Sequence, residues 1–167
     1  MSSLRLILLR HGKSDWDDPR LDDFHRPLAP RGLRDVPEMG RRLARRAELP
    51  ELIVSSTAVR AISTARAVAR EIGYREDRIL EEARLYHAPA ETMLSIIRNA
   101  PATVGTLMVV GHNPGMTELA DMLADVRIDN MPTAGMLCAE FQADDWRGIE
   151  PARARFAWFD YPKKRAD

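Results

Sequence analysis

Leu6, Ile7, Leu8 and Leu9 run without interruption into Arg10, His11 and Gly12. An apolar run with no polar alternation fits a strand covered on both faces, the kind found in parallel sheets flanked by helices. That reading constrains everything downstream, because parallel strands need long crossover connections, usually helical. It also places Arg10 and His11 at the carboxyl end of the strand, where open α/β sheets bind their ligands. Gly12 lets the backbone turn sharply and come close to what sits there. A cation beside an imidazole, with backbone N–H groups beyond, is a receptor for an anion.

Two later stretches repeat the pattern. Leu52-Ile53-Val54 ends in Ser55-Ser56-Thr57, a cluster able to cap a helix. The helix that follows runs to about Ile72, with Val59, Ile62, Ala65, Ala69 and Ile72 inward and Gly73 as its terminator. Arg60 lies in its first turn. Thr106 to Val110 is the clearest buried strand and ends in Gly111-His112-Asn113-Pro114-Gly115. Asn113 suits an N-cap and Pro114 a first helical position, so a helix to about Leu123 starts beside His112 and adds unpaired N–H groups there.

The rest of the chain supplies the frame. Asp15 to Arg26 is a polar loop near the mouth of the first strand. A helix is expected from Arg31 to Arg46, with Leu33, Val36, Met39 and Leu43 on one face and a kink or break at Pro37. Arg34 and Glu38 can pair at i,i+4, and Arg41, Arg42, Arg45 and Arg46 read as a solvated face. Arg78 to Glu82 is a weak strand, Leu85 to Pro89 a connection, and Ala90 to Asn99 a helix with Met93, Leu94 and Ile97 inward. Met131 to Gly135 is a loop, Met136 to Phe141 and Arg155 to Phe159 are strands, Asp144 to Glu150 is a polar turn, and Tyr161 to Asp167 is a frayed basic tail. No linker or repeat interrupts the 167 residues, so one domain over 1–167 is expected.

Composition narrows the function. Twenty-five basic and twenty-five acidic side chains cancel, which argues against a nucleic-acid or membrane partner. Four apolar residues before Arg10 are too few for a signal peptide or a spanning helix, and the lone Cys138 makes no internal disulfide; a cytoplasmic location is expected. With three strand ends at one sheet edge, Arg10, Arg60, His11 and His112 converge with one or two helix amino termini. Arginine forks match phosphate oxygens, and a neutral imidazole can accept a phosphoryl group and release it to water. Metal binding is the weaker use of the two histidines: no Asp or Glu stands at ligand spacing from them, and two arginines repel a cation.

The motifs Leu9-Arg10-His11-Gly12-Lys13-Ser14, Ser55-Ser56 with Arg60-Ala61 and Thr64-Ala65, and Val110-Gly111-His112-Asn113 resemble those of the histidine phosphatase superfamily, also called phosphoglycerate mutase-like. Arg26-Pro27-Leu28, Leu85-Tyr86-His87-Ala88 and Pro132-Thr133-Ala134-Gly135, with the short length, resemble most the small bacterial phosphohistidine phosphatases of the SixA type. The resemblance implies a three-layer α/β/α sandwich with a mostly parallel sheet. It implies that His11 is the nucleophile, that Arg10, Arg60 and His112 hold the phosphoryl group, and that Gly12, Ser14 and His87 contribute to substrate binding. No metal or cofactor is implied. The substrate would be phosphohistidine of a protein, or else a small sugar or nucleotide phosphate; a non-catalytic phosphate-binding module is the reading from another class. The oligomeric state is not legible.

Departures from the family pattern bear on substrate. Relatives carry a Leu-x-Glu element whose glutamate serves as general acid, and here the stretch reads Leu85-Tyr86-His87. His87, Glu82 and Glu91 are the candidates to replace it, with His87 the best placed. Asp17 stands where mutases have asparagine, and Ala29 where many relatives have a threonine that caps the first helix. Loss of a positioned acid costs an alkyl ester on the order of 10²–10⁴ in rate. A phosphoramidate loses less, so the departure favours phosphohistidine or another activated phosphate over a mutase reaction.

Overall fold

The structure is a computed structural model, and it describes residues 3–164. Strand β1 (Ser3–Arg10) lies inside a six-stranded mixed sheet. Its parallel neighbour is β4 (Thr106–Gly111), followed outward by β2 (Leu52–Ser55) and the two-residue β3 (Leu80–Glu81), also parallel. On the other side, β5 (Met136–Gln142) and β6 (Arg155–Asp160) are antiparallel. The order is therefore β3-β2-β4-β1-β5-β6.

Helices cover both faces, which is why the middles of the central strands, Leu6–Leu9 in β1 and Leu107–Val110 in β4, are apolar. Leu4, Leu6 and Leu8 pack with α3 (Ala90–Arg98) and α4 (Gly115–Ala124). Ile7 and Leu9 point the other way, toward α1 (Pro30–Arg45) and α2 (Val59–Ile72). This is the three-layer α/β/α sandwich that the resemblance implied. With β1, β2 and β4 parallel, Arg10, Ser55 and Gly111 all end on one edge of the sheet.

Several local expectations are corrected. Helix α1 runs unbroken through Pro37, and Leu33 is exposed, so its buried stripe is Gly32, Val36, Met39, Gly40 and Leu43. The two findings are linked: Pro37 leaves the Leu33 carbonyl without its helical partner, and on the solvent side water can satisfy it. Burial of side chains such as Val36, Met39 and Leu43 stabilises by about 1.5–3 kcal/mol each. Glu38 pairs with Arg41 and Arg42 rather than Arg34. Arg42 is not on a solvated face. It donates to Asp160 and to the carbonyls of Tyr161, Pro162 and Lys164, and so ties down the start of the tail. Residues 165–167 of that tail lie outside the described residues.

The segment expected as a polar turn hides the largest buried side chain. Trp146 is fully buried, and its indole N–H donates to the Val104 carbonyl at 2.7 Å. The acidic residues around it masked the anchor. Caps differ as well. Ala29 at the start of α1 and Ala58 at the start of α2 make no side-chain cap. Helix α4 begins at Gly115, one residue later than expected, and Asn113 caps it by accepting from the Thr117 N–H and hydroxyl. Gly115 also allows a close approach: a Cβ there would lie 2.1 Å from the Ala88 carbonyl oxygen. That contact pins the loop carrying Tyr86 and His87 against the start of α4.

Candidate active site

The sheet edge opens into a cavity of about 240 Å³ whose walls include Arg10, His11, Ser14, Arg60, His87 and His112. The rings of His11 and His112 are 5.0 Å apart, and those of His87 and His112 5.6 Å. All four residues drawn from the strand ends thus meet at one anion-sized space. Gly12 does not join them. Its N–H donates to Thr64 Oγ1 at 3.0 Å, and the Thr64 hydroxyl in turn donates to the Arg60 carbonyl. Its missing side chain serves packing, since a Cβ would sit 2.5 Å from Val36. Glu82 pairs with Arg84, and neither it, Glu91 nor Asp17 lines the cavity.

Hydrogen bonds define the chemistry of His11. Its Nδ1 lies 2.7 Å from the Gly12 carbonyl oxygen, which can only accept, so Nδ1 carries the proton. Nε2 is left with its lone pair, facing the cavity side where Arg60 Nε–H approaches at 3.4 Å. Burial lowers its pKa to about 4 against the favourable Gly12 bond, and Arg60, Arg10 and Arg26 add to the lowering. Burial likewise lowers His112 to about 3, helped by His11 and Arg60. Both imidazoles are neutral near pH 7. The Ser56 hydroxyl accepts from Ala58 N–H and lies 2.8 Å from His112 Nε2. A proton donated by Ser56 places the imidazole proton on Nδ1.

Two buried donors at this cavity, Arg10 Nε and Arg26 Nη1, and the buried ring nitrogen His112 Nδ1 lack a protein partner among the described residues. Buried donors are normally paired, and an anion with several oxygens would pair these. Arg10 is anchored by a bond from Nη1 to the Met131 carbonyl at 2.8 Å. Among the described residues, no group of three or more His, Cys, Asp or Glu is arranged to hold a metal ion.

Asp23 was missed in the sequence, where it is one acidic residue of a loop without periodicity. It sits on a single 3-10 turn, Asp23–His25. Its Oδ2 accepts from Arg60 Nη2 at 2.9 Å, Tyr86 OH at 2.5 Å and His87 Nε2 at 3.0 Å, and its backbone carbonyl accepts from Arg60 Nη1 at 2.6 Å. Arg26 donates to Oδ1 and stacks its guanidinium 3.2 Å from the ring of the exposed Trp16. Burial opposes the charge on Asp23, but the bonds from Tyr86, Arg60 and Arg26 outweigh it and hold the carboxyl well below the usual range. Trp16 likewise enters the site only through folding; Arg26, Ser56 and Tyr86 each lay in a stretch that resembles relatives, but nothing in the sequence gave their partners.

A family model for the histidine phosphatase superfamily (branch 1) matches residues 6–105. The chain belongs to this superfamily. Two relatives have uncharacterized functions. A chloroplastic protein of Arabidopsis thaliana is 35% identical over 134 residues, which are 75% of this chain; the chain spans 62% of that relative's length. A protein of Mycobacterium tuberculosis strain H37Rv is 34% identical over 167 residues, covering 93% of this chain and 100% of its own. Solved structures resemble it throughout. One, from Agrobacterium tumefaciens, bears the name phosphohistidine phosphatase SixA by assignment; it is 31% identical, with a TM-score of 0.80 and coverage of 95% of this chain and 98% of its own. The protein histidine phosphatase SixA complexed with tungstate has the same TM-score at 18% identity, over 95% and 97% of the two chains, and shows the shared fold. Family membership and the phosphatases among these neighbours make this histidine phosphatase a phosphatase in the general sense. No helix among the described residues is long and apolar enough to cross a membrane.

The histidine pKa values carry a stability consequence. The unfolded chain protonates these imidazoles as pH falls through 6.5, whereas the folded state resists until about 4 for His11 and about 3 for His112. The unfolded state therefore binds more protons in that window, and stability falls on acidification. In phosphate-free buffer the melting temperature is expected to drop between pH 7 and pH 4, and His112→Asn to flatten the drop. A melting temperature unchanged across that range, in the native protein, contradicts the neutral buried pair.

Proposed function

We propose that this histidine phosphatase hydrolyses phosphohistidine, by transfer of the phosphoryl group to His11 Nε2 and then to water, without a metal or cofactor. The lone pair on Nε2 in a pocket of arginines and unpaired donors supports the nucleophilic role. Arg10, Arg60 and His112 Nδ1 then hold the phosphoryl oxygens and stabilise the charge that shifts during transfer. Ser14, buried in the wall of the cavity, completes the cradle.

The observation that carries the choice of substrate is the state of Asp23. It is the one carboxylate among the described residues lining the cavity, and it is held ionised by Arg60, Tyr86 and Arg26. No carboxylic acid stands ready to protonate a departing alkoxide. A phosphorylated imidazole that carries its ring proton departs as neutral imidazole and needs none. The SixA name borne by the Agrobacterium structure agrees with this reading. The test is a turnover assay with a phosphohistidine peptide in the presence of a chelator. Steady release of phosphate is expected, competitively inhibited by tungstate or vanadate. Activity that vanishes in the chelator and returns with a divalent cation would count against the metal-free route, and no release from the peptide against the substrate.

A further inference from the structure

Trp16 stands in the wall of the His11 cavity and is 69% exposed. The other two tryptophans serve packing: Trp146 is fully buried, and Trp158 is half-buried against the core beneath α1 and α2. Exposing an indole forgoes one of the largest apolar areas a side chain can bury, so the position calls for a cause. The backbone fixes it. Asp15 N–H donates to the Pro27 carbonyl at 2.9 Å, Ala29 N–H to the Lys13 carbonyl at 2.8 Å, and Ser14 and Leu28 form an isolated antiparallel bridge. These contacts close the neck of the 15–26 loop and set Trp16 opposite Arg26. The Asp15 carboxylate, accepting from the Asp17 N–H at 2.7 Å, turns the chain directly after the tryptophan.

Arg26 then holds one face of the ring. Its guanidinium is anchored to Asp23 Oδ1 through Nε and Nη2 at 3.2 and 3.0 Å, and its carbon lies 3.2 Å from the indole centroid. Such a stack orients a ring without covering its other face, and the exposure of Trp16 shows that the protein leaves most of it open. A flat, rigid indole, supported on one side in the wall of a phosphate-sized cavity, is a surface for a second flat ring. The cavity, about 240 Å³, has room for more than a phosphoryl group. In phosphohistidine the group bonded to phosphorus is an imidazole. With a proton on its second nitrogen that ring is also cationic, and an indole face attracts it.

We propose that Trp16 is a specificity-determining residue that stacks on the imidazole of the phosphohistidine substrate, and so favours phosphoryl groups carried by an aromatic ring over those on a simple amine. The proposal rests on phosphohistidine as the substrate, as argued above, and names the residue that recognises its leaving group. Trp16 makes and breaks no bond. It holds the ring during transfer to His11 Nε2 and gives up the contact when the neutral imidazole departs.

Phosphoimidazole and phosphoramidate both carry a P–N bond and differ in the ring, so comparing them on the whole protein separates the contact from the chemistry. Trp16→Leu removes the aromatic face while keeping an apolar side chain beside Arg26, and Trp16→Phe keeps a ring; thermal melting checks that both fold. Trp16→Leu should lower the ratio of kcat/KM for phosphoimidazole to that for phosphoramidate by about three- to tenfold, chiefly through KM. Trp16→Phe should restore most of that ratio. A role confined to steadying Arg26 would instead weaken both substrates and tungstate inhibition in equal proportion, since none of those losses depends on the ring. That result overturns the proposal, as does a Trp16→Phe variant no better than Trp16→Leu. If the native protein releases phosphate from the phosphohistidine peptide while the ratio in Trp16→Leu moves by less than about twofold, the stack alone falls and the phosphohistidine reading stands. No release from that peptide or from phosphoimidazole removes both.

Discussion

His11→Ala is expected to reduce turnover by on the order of 10⁶, to the background of the assay, while the protein stays folded and still binds tungstate. The size follows from the proposed covalent route: without Nε2 there is no atom to take the phosphoryl group, and removing a nucleophile from an integrated catalytic unit costs about that factor. His112 is no substitute. Its Nε2 is committed to Ser56, 2.8 Å away, and in the proposed mechanism its Nδ1 holds a phosphoryl oxygen. Binding survives because Arg10, Arg60 and His112 remain. Rapid acid and alkali quenching provides the direct measurement. The native enzyme should trap a phosphoryl label that is acid-labile and alkali-stable, and His11→Ala should trap none. Turnover by His11→Ala within about a hundredfold of native would mean that water attacks the substrate directly.

Arg60→Ala has the second largest effect expected, and its cause is double. The guanidinium approaches His11 Nε2 at 3.4 Å, and in the proposed mechanism it holds phosphoryl oxygens, so its loss would remove a charged donor to the transition state. One such donor is worth roughly 3–4 kcal/mol, or 10²–10³ in kcat. The same change strips Asp23 of its contacts with Arg60 at 2.6 and 2.9 Å and leaves a less compensated negative charge facing an incoming anion. Tungstate affinity should therefore fall by at least about a hundredfold. Arg60→Lys should recover little of it, because a point charge cannot bridge the carboxylate and the phosphate as a fork does. Combining Arg60→Ala with Asp23→Ala tests the coupling. Losses that are less than additive, by about 0.5–3 kcal/mol, are expected for residues in direct contact. An affinity change below about threefold in Arg60→Ala would remove it from the site.

How much of this was legible in the chain depends on whether a residue belongs to a periodic element. Strand β1 announces itself by four consecutive apolar residues, and Arg10 and His11 follow because they come next. The same holds for Arg60 after β2 and His112 after β4. Burial on both faces of the sheet makes each of these patterns local, and parallel pairing then forces their ends together. The protein's fold class and the meeting of Arg10, His11, Arg60 and His112 at one sheet edge were thus determined by the sequence alone. The break allowed for at Pro37 did not occur, for the opposite reason. The local rule says that an interior proline costs a hydrogen bond, but whether the helix breaks depends on whether the freed carbonyl reaches water, and that was decided when α1 turned Leu33 outward.

The tertiary structure decided the rest. Asp23 and Trp16 lie in a loop with no repeat to read, and their place beside Arg60 and Arg26 exists only once residues 15–26 fold over the sheet edge. Asp23 and Tyr86 are 63 positions apart, and their 2.5 Å contact joins that loop to the one carrying His87. Gly12, which read as part of the anion cradle, gives its N–H to Thr64 instead. The tautomer of His11 hangs on a 2.7 Å contact with the Gly12 carbonyl that follows from the turn's geometry rather than its composition. A residue type announces what a side chain is able to do; which partner claims each donor and acceptor depends on distances between segments far apart in the chain, set when the two helical layers close on the sheet.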